Sequence, residues 1–128
     1  MIKKTYRPEI TAYESILLIL SELVDKGKTV LRQDKLVPFL YGFKDSDMVK
    51  PLFIDIAFDT HLDTITSVDV EDSLTKLQTY GAIGKLNPAY EKIVIYISQK
   101  EAKDFINSYD KQFVVAAEEI AEKFDETA

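Results

Sequence analysis

SVDVEDSLTKLQTYGAIGKLNPAYEKIVIYI, residues 67–97, is the stretch on which the fold turns. Ser67 or Asp69 can accept hydrogen bonds from the unpaired N–H groups of a first helical turn, and Asp69, Glu71 and Asp72 sit where a helix dipole is positive. Val70, Leu74 and Leu77 recur at spacings of four and three, with Tyr80 three further on, which predicts one apolar stripe. Glu71, Asp72, Thr75, Lys76, Gln78 and Thr79 then face away from it. Gly81 stands just past the stripe, where a left-handed C-terminal residue needs no Cβ. Beyond it, Ile83 and Leu86 lead into a turn at Asn87-Pro88-Ala89, and residues 90–97, YEKIVIYI, are rich in β-branched and aromatic side chains. The stretch therefore reads as a capped helix that hands over directly to a β-hairpin.

Upstream, Thr11 and Glu14 have capping-box spacing, in which each side chain satisfies a backbone N–H of the other's turn. A helix is expected over residues 12–25. Its apolar residues Tyr13, Ile16, Leu17, Leu18, Ile19, Leu20, Leu23 and Val24 cover more than one face, so it should be largely buried, and Gly27 ends it. Residues 29–31 suit a short strand, and residues 34–42 a helix of about two turns capped by Asp34 and closed by Gly42. Pro38 is awkward there, and implies either a helix that begins nearer Val37 or one that is bent. Residues 1–8, with Lys3, Lys4 and Arg7, read as a solvated basic terminus.

The interval 43–66 is too long for a plain connection and reads as an inserted element. With Pro51 at a first helical position, Phe53, Ile54, Ala57 and Phe58 form one stripe; as a strand, Leu52, Ile54, Ile56 and Phe58 share a face. The helix is slightly favoured. Phe53, Phe58 and Tyr41 could line a ligand pocket beneath this segment or form plain core. Asp59-Thr-His61-Leu-Asp63 places two carboxylates and the single histidine on one side of an extended segment, a set that can ligate a divalent ion or simply be solvated. With no further ligand nearby in sequence, no metal or other cofactor is expected.

Ser98 and Glu101 repeat the capping-box spacing, and no Gly or Pro follows them. Ala102, Ile106, Tyr109, Phe113, Ala116 and Ile120 then succeed one another at steps of 4, 3, 4, 3 and 4, which is heptad spacing. One long helix over residues 99–126 is expected, spanning roughly 35–40 Å at about 1.5 Å per residue. Part of it should protrude and find a partner, with those six residues as the expected homodimer seam, unless the helix packs back entirely on its own domain.

Composition bounds the rest. A chain of 128 residues with 46% hydrophobic content is long enough for one core and short for two, so a single domain over 1–128 is expected. No cysteine is present, which excludes disulfides and thiolate zinc sites. The longest apolar run, residues 16–20, falls far short of the roughly 20 residues of a membrane span, and the N-terminus lacks signal-peptide character. A cytoplasmic protein with no membrane partner is expected. Residues 1–44 carry eight Lys or Arg against five Asp or Glu, whereas residues 45–128 carry eight against seventeen, so the net charge of −6 is concentrated in the later part. Such a surface repels phosphate backbones except where a local basic patch survives.

The order helix, short strand, helix, helix, hairpin, long C-terminal helix, with LTKLQTYGAIGKL at residues 74–86, resembles the winged helix-turn-helix superfamily, and within it bacterial regulators whose final helix dimerises. The resemblance covers residues 12–42 and 67–124. It implies an α+β, mostly helical fold with a winged-helix core, a β-hairpin wing, the insertion at 43–66 and the long C-terminal helix. It also implies that Thr75, Lys76, Gln78 and Thr79 would reach base edges, with Lys85 and Lys92 on the wing near phosphates. Arg32 and Lys35 would extend that patch. Asp69, Glu71 and Asp72 depart from the pattern at the helix end that should approach a groove.

No enzyme is expected. The four glycines stand at element ends and cannot form a phosphate-cradling loop, and no serine has a nucleophile-elbow context that His61 could serve. The favoured function is therefore an acidic interaction module that docks on a protein partner, as a subunit of a larger assembly or a nucleic-acid mimic. The alternative is a dimeric DNA-binding transcriptional regulator.

Overall fold

Helix α1 (Ala12–Asp25) is the axis of the computed structural model, which describes residues 10–86 and 92–124. Both halves of its capping box form, with the Thr11 hydroxyl accepting from the Glu14 N–H and the Glu14 carboxylate accepting from the Thr11 N–H. Ala12 and every residue from 15 to 24 are buried, as the all-round apolar sequence requires. Its two buried serines are satisfied: Ser15 donates to the Leu52 carbonyl at 2.7 Å and Ser21 to the Leu17 carbonyl at 2.8 Å. The helix closes at Gly27, whose φ of +80° is open to glycine at little steric cost.

Strand β1 (Val30–Arg32) leads straight into α2 (Gln33–Tyr41). The strand lies one residue later than expected, and the N-cap of α2 is Arg32, with no side-chain cap bond. Asp34 lies inside the first turn, paired with Arg32. Pro38 does not delay the helix start: it lies within α2 on an exposed position, where water can replace the one donor that its ring removes.

Helix α3 (Val68–Thr79) starts at Ser67, which settles the choice with Asp69: the Ser67 hydroxyl accepts from the Val70 N–H at 3.2 Å and donates to the Ala57 carbonyl at 2.7 Å. Val70, Leu74 and Leu77 are buried as expected. Tyr80 is not part of that stripe, being 74% exposed. It is the C-cap residue, and Gly81 at φ +80° turns the chain before the next helical position could bring the ring inward.

Strands β4 (Ile83–Leu86) and β5 (Lys92–Ile95) pair antiparallel with Ile83 opposite Ile95 and Leu86 opposite Lys92. β5 also pairs with β1, Val30 opposite Val94 and Arg32 opposite Lys92, giving a sheet of order β1-β5-β4. Alternation turns Leu31, Ile83, Ile93 and Ile95 into the core. The Asn87-Pro88 turn, Tyr90 at the expected strand start, and the basic residues Lys3, Lys4 and Arg7 lie outside the described residues.

The inserted segment holds less helix than expected. Pro51 opens only a 3-10 turn (Lys50–Phe53), after which β2 (Asp59–His61) and β3 (Thr64–Thr66) form a separate two-stranded hairpin. Leu52, Phe53 and Ile56 are buried while Ile54 is exposed, so neither the helical stripe nor the strand face describes the segment as a whole.

The expected long C-terminal helix is two helices, α4 (Gln99–Asn107) and α5 (Lys111–Lys123). The break falls at Ser108-Tyr109-Asp110, residues of modest helix propensity, and the Ser108 hydroxyl donates to the Phe105 carbonyl. Geometry gives the reason. A straight helix carrying both Ala102 and Ile120 would hold them about 27 Å apart, whereas α1 is only about 21 Å long at 1.5 Å per residue. Bending lets α4 and α5 both pack on α1. Ala102, Phe113, Ala116 and Ile120 are consequently buried in the chain's own core, with Ile106 and Tyr109 half-buried against it. Four of the six residues expected to form a dimer seam are thus covered from within, and Ile106 and Tyr109 keep part of their surface. Lys28 fastens the far end, its ammonium donating to the Ala121 and Phe124 carbonyls at 2.9 and 2.7 Å. Gln99 does the same for α1, donating to the Val24 carbonyl at 2.7 Å.

Candidate functional site

The outward face of α3 is the first candidate, because its exposed residues are the ones that the sequence pattern offered to a ligand. Glu71, Asp72, Thr75, Lys76, Gln78 and Thr79 are all exposed. Two hydroxyls are already engaged along the helix, Thr75 donating to the Glu71 carbonyl and Thr79 to the Thr75 carbonyl. Asp69 is tied down as well: its carboxylate accepts from the Ala57 N–H at 2.8 Å, so it holds the insertion against α3. Glu71 receives a long hydrogen bond of 3.4 Å from Gln33. The start of α3 therefore remains acidic, with Glu71 and Asp72 at the surface.

The sheet separates the remaining basic candidates. Arg32 and Lys92 stand directly opposite each other on β1 and β5 and share the face turned away from the core. Lys85 pairs with the buried Ile93, which puts it on the other face of the sheet. Arg32 also grips Asp34 through two 3.1 Å hydrogen bonds, and that guanidinium holds the Asp34 carboxyl below its ordinary range. Lys35 is exposed on α2. Of the eight candidates, the structure pairs Arg32 with Lys92, gathers Thr75, Lys76, Gln78 and Thr79 on one helix, and leaves Lys85 apart.

Two clefts stand out among the described residues, one beside α3 and one between the end of α2 and the inserted segment. One, of about 540 Å³, lies between the start of α1 and α3 and is lined by Tyr13, Asp55, Asp69, Asp72, Lys76 and Tyr80 among others. Asp55 works there as an external cap, accepting from the Ala12 N–H at 2.9 Å, and Tyr13 meets Tyr80 edge to face with centroids 6.4 Å apart. Burial, and secondarily Tyr80, raises the Tyr13 phenol above its usual range. Lys76, taken from sequence as a base-reading residue, is one cation amid three carboxylates.

The other cleft, of about 500 Å³, brings together Tyr41, Phe53 and Phe58, the aromatic trio singled out in the sequence, with Lys44, Ile56, Ala57 and Thr60. Phe58 packs edge to face on Tyr41 at 5.5 Å and on Phe53 at 5.9 Å. The Lys44 ammonium lies 5.4 Å from the Tyr41 ring centre and 3.3 Å from Asp45. Sequence reasoning missed Lys44, although it follows Tyr41 by three residues and so lies one turn along.

Asp59, His61 and Asp63 do not gather with other donors: among the described residues no group of three His, Cys, Asp or Glu side chains could hold a metal. Among the described residues the most perturbed acid is Glu22, 4% exposed between α1 and α5. Burial, reinforced by Glu118 and opposed by Lys26, raises its carboxyl to about 7. It lines neither cleft, and its position between helices makes it a feature of packing. Among the described residues no helix is long and apolar enough to cross a membrane. Comparison of the chain with protein-family models, curated proteins and solved structures finds no match in any of the three.

Proposed function

We propose that this chain is a winged-helix module. Support comes from the order of α1, β1, α2, α3, β4 and β5, and from a first strand that pairs with the last in a sheet of order β1-β5-β4. In that arrangement α3 occupies the recognition position and the β4–β5 hairpin is the wing.

Within that class, the chain is a non-enzymatic module that works by docking an acidic surface on a protein partner, as a subunit of a larger assembly or a nucleic-acid mimic. The observation that carries this reading is the exposed acid at the start of α3, Glu71 and Asp72, beside a cleft whose single lysine is outnumbered by Asp55, Asp69 and Asp72. A phosphate backbone brought to that helix would meet repulsion where a DNA reader presents donors. Titration against mixed-sequence duplex at about 50 and about 200 mM salt tests it, since neutralised phosphates produce a steep salt slope. No binding is expected at either concentration. Tight, salt-dependent binding overturns the proposal. A Glu71→Lys, Asp72→Lys double variant should gain duplex affinity that the parent lacks.

The second reading, a DNA-binding regulator, is favoured by one observation, the adjacency of Arg32 and Lys92 on the outer face of the sheet. Duplex binding lost on Lys92→Glu would support it.

A further inference from the structure

The hairpin of the inserted segment ends on a residue that its backbone disfavours. Three rungs, Asp59 with Thr66, Thr60 with Ile65 and His61 with Thr64, leave Leu62 and Asp63 as a two-residue loop. Loops of this length favour Asn, Asp or Gly where φ is positive. Here Leu62 holds a φ of +55° and is 92% exposed, so the tip is both strained and apolar. At the root of the same hairpin lies the aromatic cleft, which Thr60 of β2 helps to line and Lys44 borders.

We propose that tip and cleft are complementary halves of one contact, in which Leu62 of each of two copies seats in the aromatic cleft of the other. The occupant is set by three features of the chain itself. Thr60 and Leu62 are two residues apart, roughly 7 Å along a strand, so a two-fold axis running alongside the hairpin, level with the gap between them, brings each tip to the partner copy's cleft. The cleft presents the partly exposed rings of Tyr41 and Phe58, backed by the buried Phe53, to a branched aliphatic side chain. Charge also matches, because Asp63 beside the plug is acidic while Lys44 on the rim is basic. The pair that Lys44 makes with the largely exposed Asp45 is readily exchanged. The contact is small and the chain carries a net charge of −6, so association is weak and concentration-dependent.

Sedimentation velocity of the full chain over roughly 10–500 µM tests this through mass action. The parent should shift from monomer towards dimer across that range. Leu62→Gly removes the plug while giving the loop the residue it prefers, so it should fold and remain monomeric throughout. Lys44→Glu and Asp63→Lys should each weaken the dimer, and together restore it. A parent that stays monomeric, or a Leu62→Gly chain that dimerises equally well, overturns the proposal. Either result leaves the reading of α3 untouched, because duplex titration does not depend on the hairpin.

Discussion

Residues 99–123 and residues 59–66 join the same core by opposite means. In the C-terminal helices the apolar positions Ala102, Phe113, Ala116, Ala117 and Ile120 are all buried, and Lys28, Gln99 and a 2.6 Å Lys103–Asp25 pair fasten the helices to α1. In the β2–β3 hairpin nearly every residue is exposed, and the most exposed large apolar side chain of the described residues, Leu62, is at its tip. The difference separates two meanings of an apolar residue. Periodic apolar residues announce that something will cover them, without saying whether the cover is the same chain. A single apolar residue on strained backbone is not accounted for by the chain's own packing.

The largest test of that contrast is at α5. Ile120→Ala should destabilise the protein by about 3 kcal/mol, the typical loss for a fully buried aliphatic side chain that leaves a cavity. Below the concentrations at which the hairpin contact forms, denaturant midpoints should be independent of protein concentration for both parent and variant. A midpoint that rose steeply with concentration would return the seam to an interface between chains.

Glu22 offers a second test, because its carboxyl sits beneath α5. Its folded pKa of about 7 lies above the unfolded value of 4.5, so between those values the folded chain keeps a proton that the unfolded chain releases. Stability from this group is complete below about pH 4.5 and declines as pH rises to 7. Glu22→Gln should therefore stabilise the protein at pH 8, by about 1–3 kcal/mol, and flatten thermal stability between pH 5 and 8. An unchanged pH profile would mean that solvent reaches the carboxylate in the folded chain. A smaller loss, about 1 kcal/mol by urea denaturation, is expected for Lys28→Met, which strips the last carbonyls of α5 of their donor.

Local chemistry was readable at most sites where both partners lay within one helical turn, the cap expected of Asp34 being the exception because Arg32 holds that position. Thr11 with Glu14 and Ser98 with Glu101 form the capping boxes that their spacing announced, and Gly81 takes the left-handed conformation expected of it. Most other failures came where the deciding partner was distant. The heptad steps from Ala102 to Ile120 continue across the break at 108–110 because both helices face one α1, so periodicity alone could not reveal the bend. Tyr80 fitted the stripe in spacing, but the chain turns at the next residue. The adjacency of Arg32 and Lys92 depends on the pairing of β1 with β5, which no local pattern encodes. Tyr41, Phe53 and Phe58 were visible as a cluster, whereas Thr60 joins their cleft only because residues 59–66 form a hairpin instead of extending a helix. Glu22 could have been found: it is the one charged residue in the apolar run from Ile16 to Val24.

The smallest expected effect is also the most informative about the exposed side of the comparison. Leu62→Gly removes a side chain that touches little within its own chain and relieves a positive φ that leucine holds at a cost of roughly 1–2 kcal/mol. Glycine loses more backbone entropy on folding, by roughly 0.5–1 kcal/mol, which offsets part of that gain. The net expectation is stabilisation of about 0.5 kcal/mol, measured by urea denaturation at a concentration low enough to keep the chain monomeric. Destabilisation by more than about 1 kcal/mol would show instead that Leu62 packs within its own chain. Its exposure at the tip would then no longer distinguish the hairpin from the helices on the other side of the core.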